Sequence, residues 1–151
     1  MICSINDKEQ KQQITRKVLA DLPEWFGLPE STEEYINFSG DMPFWADIEG
    51  EHVRGFIALK ETSIHTVEIY VMGVMKDFHR QKIGENLFQA CYDYSKALGY
   101  SFIQVKTVRE GCYKEYDKTI AFYKKLGFKE FECFPTLWDK WNPCQVYVMC
   151  I

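Results

Sequence analysis

The sequence predicts an α/β (α+β) fold in which a mixed, mostly antiparallel central sheet is flanked by helices. Three strand-like segments between residues 44 and 74 are joined by short polar turns, which favours an antiparallel meander. Two amphipathic segments follow, and each of them ends at a glycine and leads into another strand-like segment. The second half of the chain is therefore expected to alternate between helices and strands.

The N-terminal part is expected to contain two helices. Asn6 and Glu9 fit a capping box, and apolar residues recur at helical spacing over residues 7–22. A second capping box, Ser31-Thr-Glu-Glu34, is expected to open a short helix that ends at Gly40. Between the two helices lies a loop that is rich in aromatic residues.

The remaining elements follow from alternation and from glycine stops. Helices are predicted over residues 83–98 and 117–126, and Gly99 and Gly127 are expected to adopt the left-handed cap conformation. The predicted strands cover residues 44–48, 53–59, 65–74, 101–108, 128–134 and 145–151, with a short one near residues 2–5. No linker interrupts residues 1–151, so a single domain is expected. The final strand is expected to leave an exposed edge that could pair with a second copy, which would make a homodimer.

Composition excludes several classes of protein. With 151 residues, 46% of them hydrophobic and 16% aromatic, the chain is not expected to be disordered. Its net charge of −4 argues against a nucleic-acid-binding surface. Neither a signal peptide nor a membrane span is recognisable, so we expect a cytoplasmic protein with no membrane partner. Its six scattered cysteines form no Cys-x-x-Cys pair, and reduced thiols without a bound metal are expected.

A basic segment between the third strand and the next helix predicts an anion site. Phe78-His-Arg-Gln-Lys-Ile-Gly84 opens a helix, where backbone N–H groups lack partners and partial positive charge collects. Arg80 and Lys82 add two full charges, which favours a phosphorylated ligand. The alternative is an ordinary solvated turn. Since the basic cluster is local in an acidic chain, a small anion suits it better than a polymer.

This segment resembles the signature of the GNAT superfamily of N-acetyltransferases, Arg/Gln-x-x-Gly-x-Gly/Ala. The matching positions run from His79 to Gly84; His79 stands in place of Arg or Gln, and Lys82 in place of the first glycine. The apolar strand Glu68–Val74 and the segment Ala121–Phe128, which matches Phe-Tyr-x-x-x-Gly-Phe, extend the resemblance over essentially the whole chain. A glycine loop alone would be weak evidence, whereas the three features together are specific.

The resemblance implies an acetyl-coenzyme A-dependent N-acetyltransferase that acts on a primary amine. The backbone of the loop is expected to wrap the pyrophosphate, and the backbone of Met72 and Val74 to meet the pantetheine arm. The cofactor-binding residues implied are Met72, Val74, His79, Arg80, Gln81, Lys82, Ile83 and Gly84. Plain core packing remains the alternative for the side chains of Met72 and Val74.

Two residues are implied in catalysis. Glu68 is the candidate base, and strand alternation is expected to place Glu68, Tyr70 and Met72 on one face. Tyr123 matches the tyrosine that the family holds beside the coenzyme sulfur, where a phenol can protonate the departing thiolate. The alternatives are a structural carboxylate at Glu68 and an aromatic core residue at Tyr123.

The acceptor site is expected near aromatic residues of the two early helices and the last hairpin loop. The candidate substrate-binding residues are Trp25, Phe26, Tyr35 and Trp138, with Trp45 and Trp141 in the same segments. Together with the carboxylates of Glu24, Asp47 and Asp139, such rings would suit a cationic amine, either a small molecule or a peptide. Alternatively, the aromatic residues cover a small core.

Two other functions remain open from the sequence. The departures at His79 and Lys82 allow a catalytically degenerate domain that binds acyl-coenzyme A for sensing or assembly. A nucleotide-binding domain is the weaker alternative, because the Walker loop is missing and a dinucleotide loop would follow the first strand of a parallel sheet.

Overall fold

The computed structural model describes all 151 residues. Its elements are β1 (Ile2–Ser4), α1 (Lys8–Ala20), α2 (Pro29–Ser39), β2 (Phe44–Glu49), β3 (His52–Glu61), β4 (Thr66–Val74), a 3₁₀ turn (Lys76–Phe78), α3 (Ile83–Ala97), β5 (Phe102–Val108), α4 (Lys114–Leu126), β6 (Lys129–Phe134) and β7 (Cys144–Cys150). This order confirms the predicted series of helices and strands. None of the helices combines the length and hydropathy needed to cross a bilayer.

One seven-stranded sheet runs in the order β1-β2-β3-β4-β5-β7-β6. Only the β4–β5 pair is parallel, which confirms a mixed and mostly antiparallel sheet. The prediction that the final strand forms a free edge is wrong. Strand β7 pairs with β5 on one side and with β6 on the other, so the edges are β1 and β6.

Helix starts differ from prediction where local chemistry offers a better cap. The side chain of Asp7, rather than Asn6, accepts the backbone N–H of Gln10 at 2.8 Å, so α1 begins one residue late. Helix α2 begins at Pro29, ahead of the predicted capping box, because proline is pre-set for the first helical position. Helix α4 likewise begins earlier than predicted, at Lys114.

The helix stops agree with prediction. Gly99 and Gly127 have φ values of 86° and 111°, the left-handed conformation that glycine adopts without steric cost.

Each face of the sheet carries its own core. Helices α3 and α4 cover one face, where Leu87, Ile103 and Ile120 are fully buried. Helix α1 covers the other face with Val18 and neighbouring side chains. Burying each such aliphatic side chain contributes about 1.5–3 kcal/mol, so the two cores fix the sheet between the helices.

A bulge in β4 shapes the centre of the sheet. Val71 pairs with Ala58 and Ile69 pairs with Leu59, so Tyr70 is an extra residue without a partner on β3. Glu68 and Tyr70 therefore share one face, but Met72 packs on the opposite face with the α3 core. The prediction that all three share a face is wrong for Met72, because one extra residue inverts the alternation.

Beyond the bulge, β4 and β5 separate. Their parallel pairing ends at Ile69 and Val105, although β4 continues to Val74 and β5 to Val108. The two strands thus form a V whose open end lies at their carboxyl ends. Along this stretch β4 is paired only with β3, which leaves its other edge free for an extended partner.

Candidate active site

Six consecutive backbone N–H groups, those of residues 80–85, donate no hydrogen bond within the chain. The first bond of α3 runs from the N–H of Asn86 to the carbonyl of Lys82 at 3.0 Å. These free donors stand at the positive end of the α3 dipole, and the side chains of Arg80 and Lys82 are exposed beside them. A run of unused N–H groups at a helix start is a binding site for an anion such as phosphate.

The loop is held in a left-handed backbone by two residues that are not glycine. Arg80 has φ 64°, and Lys82, at the N-cap of α3, has φ 62° and ψ 15°. Lys82 occupies the position of the first signature glycine, so the chain keeps the left-handed turn at a steric cost of roughly 1–2 kcal/mol. Despite this departure from the signature, the chain makes a left-handed turn at the start of α3.

Gly84 leaves room for close packing between α3 and α4. A Cβ on Gly84 would lie 3.2 Å from Cζ of Phe122 and 3.9 Å from Cε of Met72. Because a real Cβ seldom comes so close to a ring carbon, glycine allows the start of α3 to approach α4. The loop is thereby placed against the helix that carries Tyr123.

His79 connects the loop to the end of β4. Its Nε2–H donates to the carbonyl of Val74 at 2.6 Å, and this bond assigns the proton to Nε2. The imidazole also meets the ring of Trp25 edge-on, with centroids 6.3 Å apart. His79 thus lies beside the loop and fixes it to the strand.

Met72 and Val74 lie in the part of β4 that has left β5. They pair with Ile57 and Gly55 of β3, and both side chains pack against the core under α3. Core packing of the side chains and a free strand edge therefore occur together. The prediction for their backbone groups remains compatible with this position.

Tyr123 lies on α4 and is only 5% exposed. Its ring packs against Phe122 and Phe128, with centroids 5.6 Å apart in each case. Burial raises the pKa of the Tyr123 phenol above its ordinary value, because the charged form would lose its hydration. The phenol is therefore protonated at neutral pH, the state that a proton donor needs.

Glu68 is 6% exposed and is anchored through one oxygen. Its Oε1 accepts Nε2–H of Gln104 at 2.9 Å and pairs with Nζ of Lys106 at 3.1 Å. Sequence reasoning missed both partners. Alternation along β5 places Gln104 and Lys106 on one face, and the parallel register sets Gln104 opposite Glu68, so a register prediction would have found them. The second oxygen, Oε2, makes no bond within the chain.

Aromatic rings stand on the same face as Glu68. Tyr35 meets Phe26 at 5.8 Å and Tyr70 at 5.3 Å between ring centroids, both edge-on. Burial, followed by neighbouring phenol and carboxylate charges, raises the pKa of Tyr70 to about 12. Burial and then the charge of Glu68 raise the pKa of Tyr35 as well. Phe26, Tyr35 and Tyr70 thus form one group of rings, and Tyr35 lies close enough to Glu68 for the charge of that carboxylate to act on its phenol.

The tryptophans in the predicted acceptor segments take different positions. Trp25 packs against the same core as Phe26, Tyr35 and Tyr70. Trp45 is 9% exposed and packs on Tyr94 of α3, so its expected place near the acceptor is wrong; it faces the opposite core. Trp138, 45% exposed, lies in the β6–β7 loop and Trp141, 71% exposed, packs under the Lys140 ammonium. The structure leaves Trp138 at the surface of that loop.

The three carboxylates expected to meet a cationic amine already have partners in the chain. Glu24 pairs with Lys76, and Asp47 accepts Nε–H of Arg54 at 2.6 Å. Asp139 caps its own loop by accepting the backbone N–H of Trp141 at 2.8 Å. These three carboxylates are therefore engaged within the chain, and the carboxylates that act on Tyr35 and Tyr70 are Glu68 and Glu34.

The sequence profile of the GNAT acetyltransferase domain matches residues 40–130. In structure, the chain is similar to an acetyltransferase ascribed to the GNAT family from Desulfovibrio desulfuricans (TM-score 0.86, 15% identity, 99% of this chain and 98% of that chain covered). It is also similar to an aminoglycoside 6′-N-acetyltransferase complexed with coenzyme A (0.76, 17%, 99% and 96%).

A third similar structure is the ribosomal-protein-S18-alanine N-acetyltransferase of Escherichia coli (TM-score 0.72, 17% identity, 100% of this chain and 93% of that chain covered). No curated protein matches the chain in sequence. At these identities the structures show a shared fold, whereas the profile covers more than half of the chain. The chain belongs to the GNAT family of acetyltransferases.

Proposed function

We propose that this protein transfers an acetyl group from acetyl-coenzyme A to a primary amine, which attacks the thioester directly. The observation that carries the proposal is the run of six unused N–H groups at residues 80–85, beside the free edge of β4. Diphosphates bind such donors, and amides of an extended arm pair with such edges. A structural relative that is complexed with coenzyme A supports this choice of ligand.

The residues present fit coenzyme A. The N–H groups from Arg80 onward, with Gln81, Lys82, Ile83 and Gly84, would surround the pyrophosphate, and the Arg80 guanidinium would add a charge-assisted contact. The free edge of β4 at Met72 and Val74 would take the pantetheine amides and polarise the thioester carbonyl. Acetyl-coenzyme A supplies the acetyl carbonyl and a thiolate leaving group.

Two side chains would then manage protons. An alkyl amine with a pKa of about 10 is protonated at neutral pH, and freeing its lone pair costs about 4 kcal/mol. Oε2 of Glu68 is free to receive that proton, directly or through a water molecule. The Tyr123 hydroxyl would protonate the departing thiolate, a contribution of about 10²–10⁴-fold at most.

For the acceptor we propose a small-molecule or peptide amine. Tyr35 packs against Phe26 and lies within reach of the Glu68 charge, and aromatic rings with a carboxylate suit an ammonium group. Trp138, exposed on the β6–β7 loop, is a further candidate contact for the acceptor. Relatives that act on an aminoglycoside and on a ribosomal-protein alanine span both acceptor classes.

We also propose that residues 1–151 act as one acetyltransferase domain in the cytoplasm. A homodimer that forms through a strand edge would use β1 or β6 rather than β7, because those two strands are unpaired on their outer sides.

The test measures thiol release from acetyl-coenzyme A with a panel of amines, alongside calorimetry of coenzyme binding. Tyr123→Phe is the matched control, because it removes one hydroxyl and keeps the packed ring. Amine-dependent release that falls in the variant supports the proposal. Binding without turnover of any amine favours the acyl-coenzyme A sensor, and absence of binding contradicts both functions. Thermal shifts with amines added to the coenzyme complex would rank acceptors.

A further inference from the structure

The loop between α1 and α2 joins the two arms of the V formed by β4 and β5. One arm ends at Val74 and continues into the 3₁₀ turn and then into residues 79–84, the anion loop. The other arm ends at Val108 and is followed by α4. Residues 21–25 contact the chain that follows each arm. The loop therefore spans the open end of the V, the gap in which the thioester is proposed to lie.

On the β4 side the loop is fixed by polar bonds and one ring contact. The Asp21 carboxylate accepts the backbone N–H of Lys76 at 2.8 Å, and Glu24 pairs with the ammonium of Lys76. The ring of Trp25 meets His79 edge-on.

On the α4 side the same tryptophan supplies the contacts. Its indole N–H is shared between the carbonyl of Glu115 and Oγ1 of Thr119, each at 3.1 Å. The hydroxyl of Tyr116 donates to the carbonyl of Trp25 at 2.5 Å. The single indole donor is thus used within the chain, and no polar atom of this side chain is left for an acceptor.

Helix geometry links these contacts to Tyr123. Thr119 lies four residues before Tyr123 on α4, so the two side chains project from the same face in successive turns. A change in how Trp25 holds Thr119 would shift the Tyr123 hydroxyl relative to β4. Misplacing a reacting group by about 1 Å can cost on the order of 100-fold in rate.

We infer that Trp25 is a positioning residue. It fixes the separation between the two arms of the V and thereby the distance from the Tyr123 hydroxyl to β4. This role replaces the predicted contact with the acceptor, and it rests on the proposed function. Trp25→Phe removes the N–H donor and keeps a ring against His79. Thr119→Val removes one acceptor from the other side of the same bond.

The kinetic test compares kcat with coenzyme affinity. Trp25→Phe and Thr119→Val are each expected to lower kcat by about 10–100-fold, while the Kd for coenzyme A stays within about threefold because residues 80–85 are untouched. The double variant should lose less than the product of the two single losses, because both act through one bond. Ile64→Ala, at an exposed side chain in the β3–β4 turn, is the control and should keep wild-type kcat. Unchanged kcat in Trp25→Phe, or a rise in acceptor KM alone, would overturn the role.

Hydrogen exchange supplies a readout that does not depend on activity. In Trp25→Phe, amides of residues 22–28 and 114–119 should exchange faster, and those of the β2–β3 hairpin should not change. Equal exchange in the variant and the wild type would refute the link. Failure of the wild type to bind coenzyme A would instead refute the proposed function, and the exchange result would still report on the link.

Discussion

Substitutions at Lys82 can separate the effect of backbone geometry in the anion loop from the effect of charge. It sits at φ 62° and ψ 15°, and its side chain is exposed. A residue with a Cβ pays roughly 1–2 kcal/mol in this conformation, whereas glycine adopts it freely. We therefore compare Lys82→Gly, which removes both the strain and the charge, with Lys82→Ala, which removes the charge alone.

The expected difference in stability follows from two opposing terms. Relief of the left-handed strain raises the free energy of unfolding of Lys82→Gly by about 1–2 kcal/mol relative to Lys82→Ala. The greater conformational freedom of glycine in the unfolded chain lowers it by about 0.4–1 kcal/mol. Lys82→Gly should thus exceed Lys82→Ala by about 0.5–1 kcal/mol in the free energy of unfolding. For a chain of this size that corresponds to a Tm about 1–4 °C higher.

The affinity for coenzyme A measures the contribution of the Lys82 charge. Loss of one exposed ammonium weakens an ionic contact by about 0.2–1 kcal/mol, so both variants should bind coenzyme A up to about fivefold more weakly. Lys82→Arg keeps the charge and the strain and should match the wild type in both measurements.

Denaturant melts and calorimetry on the four proteins decide the matter. If Lys82→Ala proves as stable as Lys82→Gly, or more so, the left-handed strain at this position is refuted. If neither variant loses affinity, the Lys82 ammonium makes no contact with the phosphates.

The other predictions concern Gly84, Tyr123 and Glu68. Gly84→Ala should weaken coenzyme binding about tenfold, because its Cβ would stand 3.2 Å from Phe122 and displace α3 from α4; calorimetry measures this, and unaltered affinity would contradict it. Tyr123→Phe should lower kcat by about 10²–10⁴-fold with coenzyme Kd unchanged. Because burial raises the pKa of Tyr123, the folded chain keeps the phenolic proton after the unfolded chain releases it, so wild-type stability should fall as pH rises above about 10. The variant should fall less steeply in melts over that range, and equal slopes would refute the shift. Glu68→Gln should reduce kcat/KM for the acceptor and leave coenzyme binding unchanged, because it removes both the proposed base and the ion pair with Lys106. Full activity in this variant would exclude Glu68 from proton transfer.

Periodicity and the signature identified most of the fold and the anion loop. Alternating or continuous apolar runs located the strands, and the left-handed glycines marked the ends of α3 and α4. The anion loop was recognisable from the order of the chain alone. The basic segment directly precedes the start of α3, where the first backbone N–H groups of a helix have no partner within that helix.

The bulge at Tyr70 was not predictable from alternation. Nothing in an apolar run distinguishes the extra residue from its neighbours. The face of the sheet on which Met72 lies was therefore predicted wrongly. Long-range pairing was equally inaccessible. The bond between Trp25 and Thr119 joins residues that are 94 positions apart, and no local pattern encodes it. The pairing of Glu24 with Lys76, which are 52 positions apart, was not predictable for the same reason.

The central claim is that the amides of residues 80–85 hold the diphosphate of coenzyme A. Amide proton and nitrogen NMR shifts of the isotopically labelled protein, titrated with coenzyme A, test it residue by residue. We expect these six amides, free in the chain, to show the largest shifts, with the proton resonances moving downfield as hydrogen bonds form. Saturable binding that leaves these amides unshifted and perturbs another part of the chain would contradict it.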